Sequence, residues 1–89
     1  MSPSAPAVGM PTLDQLQVFL AVAETGSFAA AARQLKRATS AISYQIGRLE
    51  RQLGLALFDR AGTRRPVLTP AGLAMRTEAQ GVLRGVGAL

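Results

Sequence analysis

Neither cysteine nor histidine occurs in this 89-residue sequence, and tryptophan is missing too. Without the first two, disulfide frameworks, thiol nucleophiles and the usual zinc ligand sets are all excluded. Aromatic residues are scarce, with three phenylalanines and one tyrosine. An apolar content carried by Ala and Leu favours packed helices over a β-sandwich. No uninterrupted apolar run approaches the roughly 20 residues that a membrane-spanning helix needs. The five acidic residues are scattered rather than paired, so no general acid–base couple is in sight. The expectation is a chain with no catalytic residue, no metal, no cofactor and no membrane partner.

What is present is basic charge. Ten Lys and Arg stand against five Asp and Glu, a formal +5. The excess concentrates between Arg33 and Arg65, where eight basic residues face Glu50 and Asp59, a local excess of six. A basic face of this density attracts a polyanion, although a charge cluster alone is equally compatible with a solvated surface.

The chain divides into a Pro-, Ala- and Ser-rich tail over 1–10, a domain over 11–69 and a last helix over 70–89. Thr12-Leu13-Asp14-Gln15 has the form of a capping box and predicts a helix over 13–24, with Leu13, Leu16, Phe19, Leu20 and Ala23 at helical spacing and Gly26 just past its end. Ser27 is a second N-cap, followed by Phe28, Ala31, Ala32 and Leu35 on one stripe, which predicts a helix over 28–35. A third helix over about 39–53 places Ile42, Ile46, Leu49 and Leu53 in a narrow arc, with Ser40, Ser43, Tyr44, Gly47 and Arg51 opposite, and Gly54 stops it. Two short extended segments around a Gly- and Pro-containing loop then read as a β-hairpin, or wing, over about 57–69, with Arg64 and Arg65 at its tip. Thr69-Pro70 opens the last helix. There Met75, Ala79, Val82, Val86 and Leu89 form a seam of alternating four- and three-residue steps, which either joins the core or meets a second copy; the helix's length favours the second copy.

Two short helices joined tightly, the second with one apolar and one polar face, make a helix-turn-helix, which places its second helix in the major groove. The amino-terminal residues of that helix come nearest the base edges, so Thr39, Ser40, Ser43 and Tyr44 are the candidates for base contact. Arg48 and Arg51 lie further along, toward phosphate. Arg37, in the turn, is counted with the DNA-binding set. A wing bearing Arg64 and Arg65 is placed to reach the minor groove or phosphates. Phe19, Phe28 and Phe58 read as core, and Arg60 serves either a local ion pair or a phosphate.

Taken in order, Ala23-Glu24-Thr25-Gly26-Ser27-Phe28, Ala31-Ala32, Leu35, Ser40-Ala41-Ile42-Ser43-Tyr44-Gln45-Ile46, Leu49-Glu50, Leu53-Gly54, Leu57-Phe58-Asp59-Arg60 and Leu68-Thr69-Pro70-Ala71-Gly72 resemble the amino-terminal domain of LysR-type transcriptional regulators. The resemblance covers about 11–89. It implies a mainly α, winged helix-turn-helix fold: a three-helix core, a β-hairpin wing and a long C-terminal linker and dimerisation helix. The two-helix motif falls at about 27–46. The resemblance further implies base contacts at Thr39, Ser40, Ser43 and Tyr44, a phosphate contact at Ser27, groove contact by the wing arginines, and a homodimer on palindrome-like double-stranded DNA. Such regulators are bacterial and cytoplasmic, nucleoid-associated when bound, and usually continue into an effector-binding domain that this chain lacks.

Three positions depart from the family pattern. Ala38 stands where Ser or Thr commonly caps the third helix, so the cap is expected to move to Thr39. Tyr44 stands where Arg is frequent, and the wing is one residue longer than the usual form. A rival reading is a protein-interaction module whose basic face meets an acidic protein, while an enzyme is the reading with least support.

Overall fold

The computed structural model describes residues 11–59 and 65–87, with the side chains of Val86 and Gly87 excepted. The expected tail over 1–10, Arg60, Arg64 and Leu89 lie outside the described residues. Four helices and one hairpin follow in the order α1 (Leu13–Thr25), α2 (Phe28–Leu35), α3 (Thr39–Leu53), β1 (Phe58–Asp59), β2 (Val67–Leu68) and α4 (Pro70–Gly87). The strands are antiparallel, pairing Phe58 with Leu68 and Asp59 with Val67.

The caps fix the boundaries. At the start of α1 the Thr12 hydroxyl accepts from the Gln15 N–H at 3.0 Å while Gln15 Oε1 accepts from the Thr12 N–H at 3.0 Å, which is the expected capping box. Gly26 then turns left-handed at φ 70°. The Ser27 hydroxyl accepts from the Ala30 N–H at 3.1 Å to open α2. Lys36 ends that helix at φ 58°, a left-handed conformation that accounts for the sharp connection to α3. Thr69 opens α4, its hydroxyl accepting from the Gly72 N–H at 3.0 Å.

One cap differs from expectation. Ala38, with extended backbone at φ −68° and ψ 145°, occupies the N-cap of α3, and no side chain caps that end. Thr39 is already the first helical residue, so the cap does not move to it. The backbone is thus in N-cap geometry while the hydroxyl is absent. Ala38→Ser is therefore expected to stabilise the domain by about 1 kcal/mol in chemical denaturation.

Helix α1 is the axle of the fold. Beyond the stripe read from the sequence, Val18, Ala21 and Val22 are also buried, because α2 and α3 cover one side and α4 packs along another. The largest fully enclosed side chains among the described residues are Phe19, Ile42, Ile46, Leu49, Leu57, Val18 and Val22. Leu13, at the start of α1, is 45% exposed instead of joining them.

The same packing corrects part of the α4 seam. Ala79 is only 1% exposed and belongs to the chain's own core, with Met75 and Leu83 packed against it. A helix laid lengthwise on α1 turns those positions inward, which leaves Val82, 47% exposed, as the outward member of the seam among the described residues.

Candidate nucleic-acid interface

The core anchors α3 along one side and presents the other. Ile42, Ile46 and Leu49 are fully buried, and Leu53 packs against the core. At about 100° per residue the opposite arc carries Ser40, Tyr44 and Arg51, with Ser43 and Arg48 on its flanks. All five side chains are exposed, as is Thr39 at the amino-terminal end. Tyr44, 59% exposed, projects as the largest group on this surface. Arg51 folds back over Gly47, with Nη1 3.3 Å from where a Cβ at position 47 would sit. The small residue makes room for the guanidinium.

Ser27 and Arg37 have other engagements. Ser27 is half-buried and its hydroxyl caps α2, so a phosphate contact at this end would share the capping geometry. Arg37 is held by Asp14 in a two-pronged pair, Nη1 donating to Oδ2 at 3.1 Å and Nη2 to Oδ1 at 2.5 Å. These bonds from Arg37 hold the Asp14 carboxyl below the usual carboxylate range. Because the folded-state value is depressed, the stabilisation is present above the unfolded carboxylate range and is lost as pH falls through the lower folded value. Both partners are well exposed, so solvent screening keeps the effect small. Arg37 therefore braces the α2–α3 turn against α1, which its place in a basic cluster did not reveal.

The wing starts from a buried base. Phe58 is 4% exposed, its ring 5.4 Å from that of Phe19 and 6.2 Å from that of Phe28. The three phenylalanines read as core thus tie α1, α2 and β1 together. Arg65, just before β2, is exposed. Two polar ties on α3 escaped the sequence reading. Glu50 Oε2 accepts from the N–H groups of Leu57 and Phe58. Gln15, 5% exposed, donates from Nε2 to Gln52 Oε1 at 2.6 Å and so joins the start of α1 to the end of α3. Gln15 was legible as half of a capping box, but its second bond spans 37 positions and had no local signal.

A family profile described as "Bacterial regulatory helix-turn-helix protein, lysR family" matches residues 13–73. The chain belongs to the LysR family. This LysR-family domain is 48% identical over 67 residues to the HTH-type transcriptional activator AllS of Klebsiella pneumoniae, covering 75% of the chain and 24% of that protein. It is 52% identical over 61 residues to a probable RuBisCO transcriptional regulator of Porphyra purpurea, covering 68% of the chain and 19% of that protein. The chain thus spans about a quarter or less of the length of these curated relatives.

Solved structures agree on the fold. The BenM DNA-binding domain in complex with catB site 1 DNA superposes with a TM-score of 0.84 at 37% identity, over 88% of this chain and 86% of that one. The CbnR DNA-binding domain in complex with DNA superposes with a TM-score of 0.82 at 38% identity, over 88% of each. The LysR-family domain is therefore a winged helix-turn-helix, mainly helical with one small hairpin. Among the described residues, no helix is long and apolar enough to cross a membrane, and no group of His, Cys, Asp or Glu is placed to hold a metal ion.

Proposed function

We propose that this chain is the DNA-binding domain of a LysR-type transcriptional regulator and that it recognises duplex DNA by sequence, without catalysis. The observation that carries the reading is the two-sided α3: Ile42, Ile46 and Leu49 lock one face into the core, while Ser40, Ser43 and Tyr44 stand outward on the other. A rod held this rigidly can enter a major groove about 12 Å wide without losing its own packing. Thr39, Ser40, Ser43 and Tyr44 read base edges on this proposal; Ser27, Arg48 and Arg51 meet phosphates, and Arg64 and Arg65 of the wing reach the adjacent minor groove or its phosphates. Arg37, engaged by Asp14, contributes through the turn it braces.

The proposal includes a homodimer that places two copies of α3 on two half-sites, as palindromic operators require. Support comes from the outward seam member Val82. Ala79, by contrast, turns to the core. A regulator of this kind works in the bacterial cytoplasm, and the longer relatives leave room for an effector-binding domain outside this chain.

Selection of bound sequences from a random duplex pool tests the reading, with enrichment of a two-fold symmetric site as the expected result. A second measurement is the dependence of affinity on salt. With about six phosphates neutralised per protomer, log K should fall against log salt with a slope near −5. Binding that ignores duplex sequence and is matched by acidic polypeptides would replace the regulator with a protein-interaction module.

A further inference from the structure

Backbone N–H groups of the segment joining α3 to the wing converge on Glu50. Its main-chain carbonyl accepts from Gly54, which ends α3, and from Leu55 at 3.2 Å. Its carboxylate Oε2 accepts from Leu57 at 2.8 Å and from Phe58 at 3.2 Å. One residue thus both terminates the helix and seizes the start of the first wing strand. The intervening Gly54, Leu55 and Ala56 are all exposed, and Ala56 is tied through its carbonyl, which accepts from the Thr69 hydroxyl at 2.6 Å.

The burial of Leu57 and Phe58 also anchors this strand, but apolar contact is non-directional and tolerates sliding. Two N–H groups meeting one carboxylate oxygen are directional, and bonds to an ionised acceptor are roughly twice as strong as neutral ones. The register of β1 passes on through the hairpin. Phe58 pairs with Leu68 and Asp59 with Val67, so the placement of Leu57 and Phe58 sets that of β2 and of Arg65 just before it.

We propose that Glu50 is a positioning residue for DNA recognition: its carboxylate fixes the wing relative to α3, so that helix and wing engage one duplex together. This rests on the DNA-binding reading above. Glu50 touches no base or phosphate on this account and acts through Leu57, Phe58 and the hairpin they begin.

A cycle of Glu50→Ala, Arg65→Ala and the double variant in the 89-residue chain tests it, reading the salt slope of binding to a mixed-sequence duplex of about 30 base pairs. In the wild-type background Arg65→Ala is expected to make the slope shallower by about 0.9, the loss of one phosphate. Glu50→Ala is expected to do at least as much, and adding Arg65→Ala to it should change nothing further. Glu50→Gln, which keeps an oxygen acceptor at the same reach, should restore the wild-type slope. If Glu50→Ala fails to fold, Glu50→Asp replaces it, since its carboxylate is withdrawn by one methylene and the same loss is expected.

A purely structural role would lower the melting temperature, leave the slope of the folded variant at the wild-type value and give Arg65→Ala the same effect in both backgrounds; that result overturns the proposal. So does an Arg65→Ala slope unchanged in the wild-type background. A wild-type chain whose duplex binding does not respond to salt overturns the DNA reading itself, and the wild-type arm alone reports that outcome.

Discussion

Gly72→Ala is expected to destabilise the domain by about 3 kcal/mol, lowering the melting temperature by about 12–24 °C. A Cβ at this position would lie 2.1 Å from the Leu57 carbonyl oxygen, 2.8 Å from Leu68 Cδ2 and 3.1 Å from the Leu57 carbonyl carbon. Two of those atoms are backbone, and that backbone is pinned. The Leu57 side chain is fully buried, its carbonyl accepts from the Thr69 N–H at 3.0 Å, and its own N–H donates to Glu50. Alanine would gain about 1 kcal/mol of helix propensity, too little to offset a displacement of the wing base from the first turn of α4. Gly81 supplies the control, since nothing lies within 4 Å of a Cβ built there. The same substitution at Gly81 should stabilise by up to about 1 kcal/mol. A Gly72→Ala protein that melts with the wild type would show that α4 does not press on the wing.

The second large effect is expected at Phe58. Phe58→Ala removes a ring that is 4% exposed and in contact distance of both other phenylalanines. The lost transfer free energy and the residual cavity cost about 3–5 kcal/mol, to which the aromatic pairs contribute about 0.5–1.5 kcal/mol each. For a domain of this length, whose total stability is about 4–13 kcal/mol, that is a large fraction. Urea denaturation reads it directly, with the midpoint moving sharply and the slope changing little. Tyr44→Ala makes the contrast. Its ring is mostly in solvent, so stability should stay within about 0.5 kcal/mol of wild type. Unchanged stability in Phe58→Ala would mean that the wing is not anchored through the three-ring contact.

The helices were legible in the sequence because their signals are local. Thr12 with Gln15, Ser27 before Phe28, and Gly26 and Gly54 past two helix ends each act within one turn, and the structure places the boundaries within a residue of those signals. The outward face of α3 was legible for the same reason, since helical periodicity puts Ser40 and Tyr44 opposite Ile42 and Ile46 whatever surrounds them.

Tertiary pairings were not legible. Nothing near Arg37 in the sequence points to Asp14, 23 positions earlier, and an arginine in a basic cluster reads as a free cation until its partner is in view. Glu50 read as one of two acids diluting a basic stretch, because a carboxylate serving backbone N–H groups leaves no pattern in residue types. The α4 seam was ambiguous in kind: a spacing of threes and fours describes any helix that lies along another, and it does not say whether the second helix belongs to the same chain. The core settled Ala79 by enclosing it.

That arrangement bears on where this module can be cut. The point between Thr69 and Pro70 looks like a hinge on paper, with the wing finished and a fresh helix starting. Yet Ala79 from the middle of α4 lies in the same interior as Phe19 and Ile46, and Met75 and Leu83 close over it. A chimera joined at that point would leave the donor scaffold unroofed. The portable unit runs through Leu83, and a graft that swaps recognition specificity must carry those turns of the last helix with it.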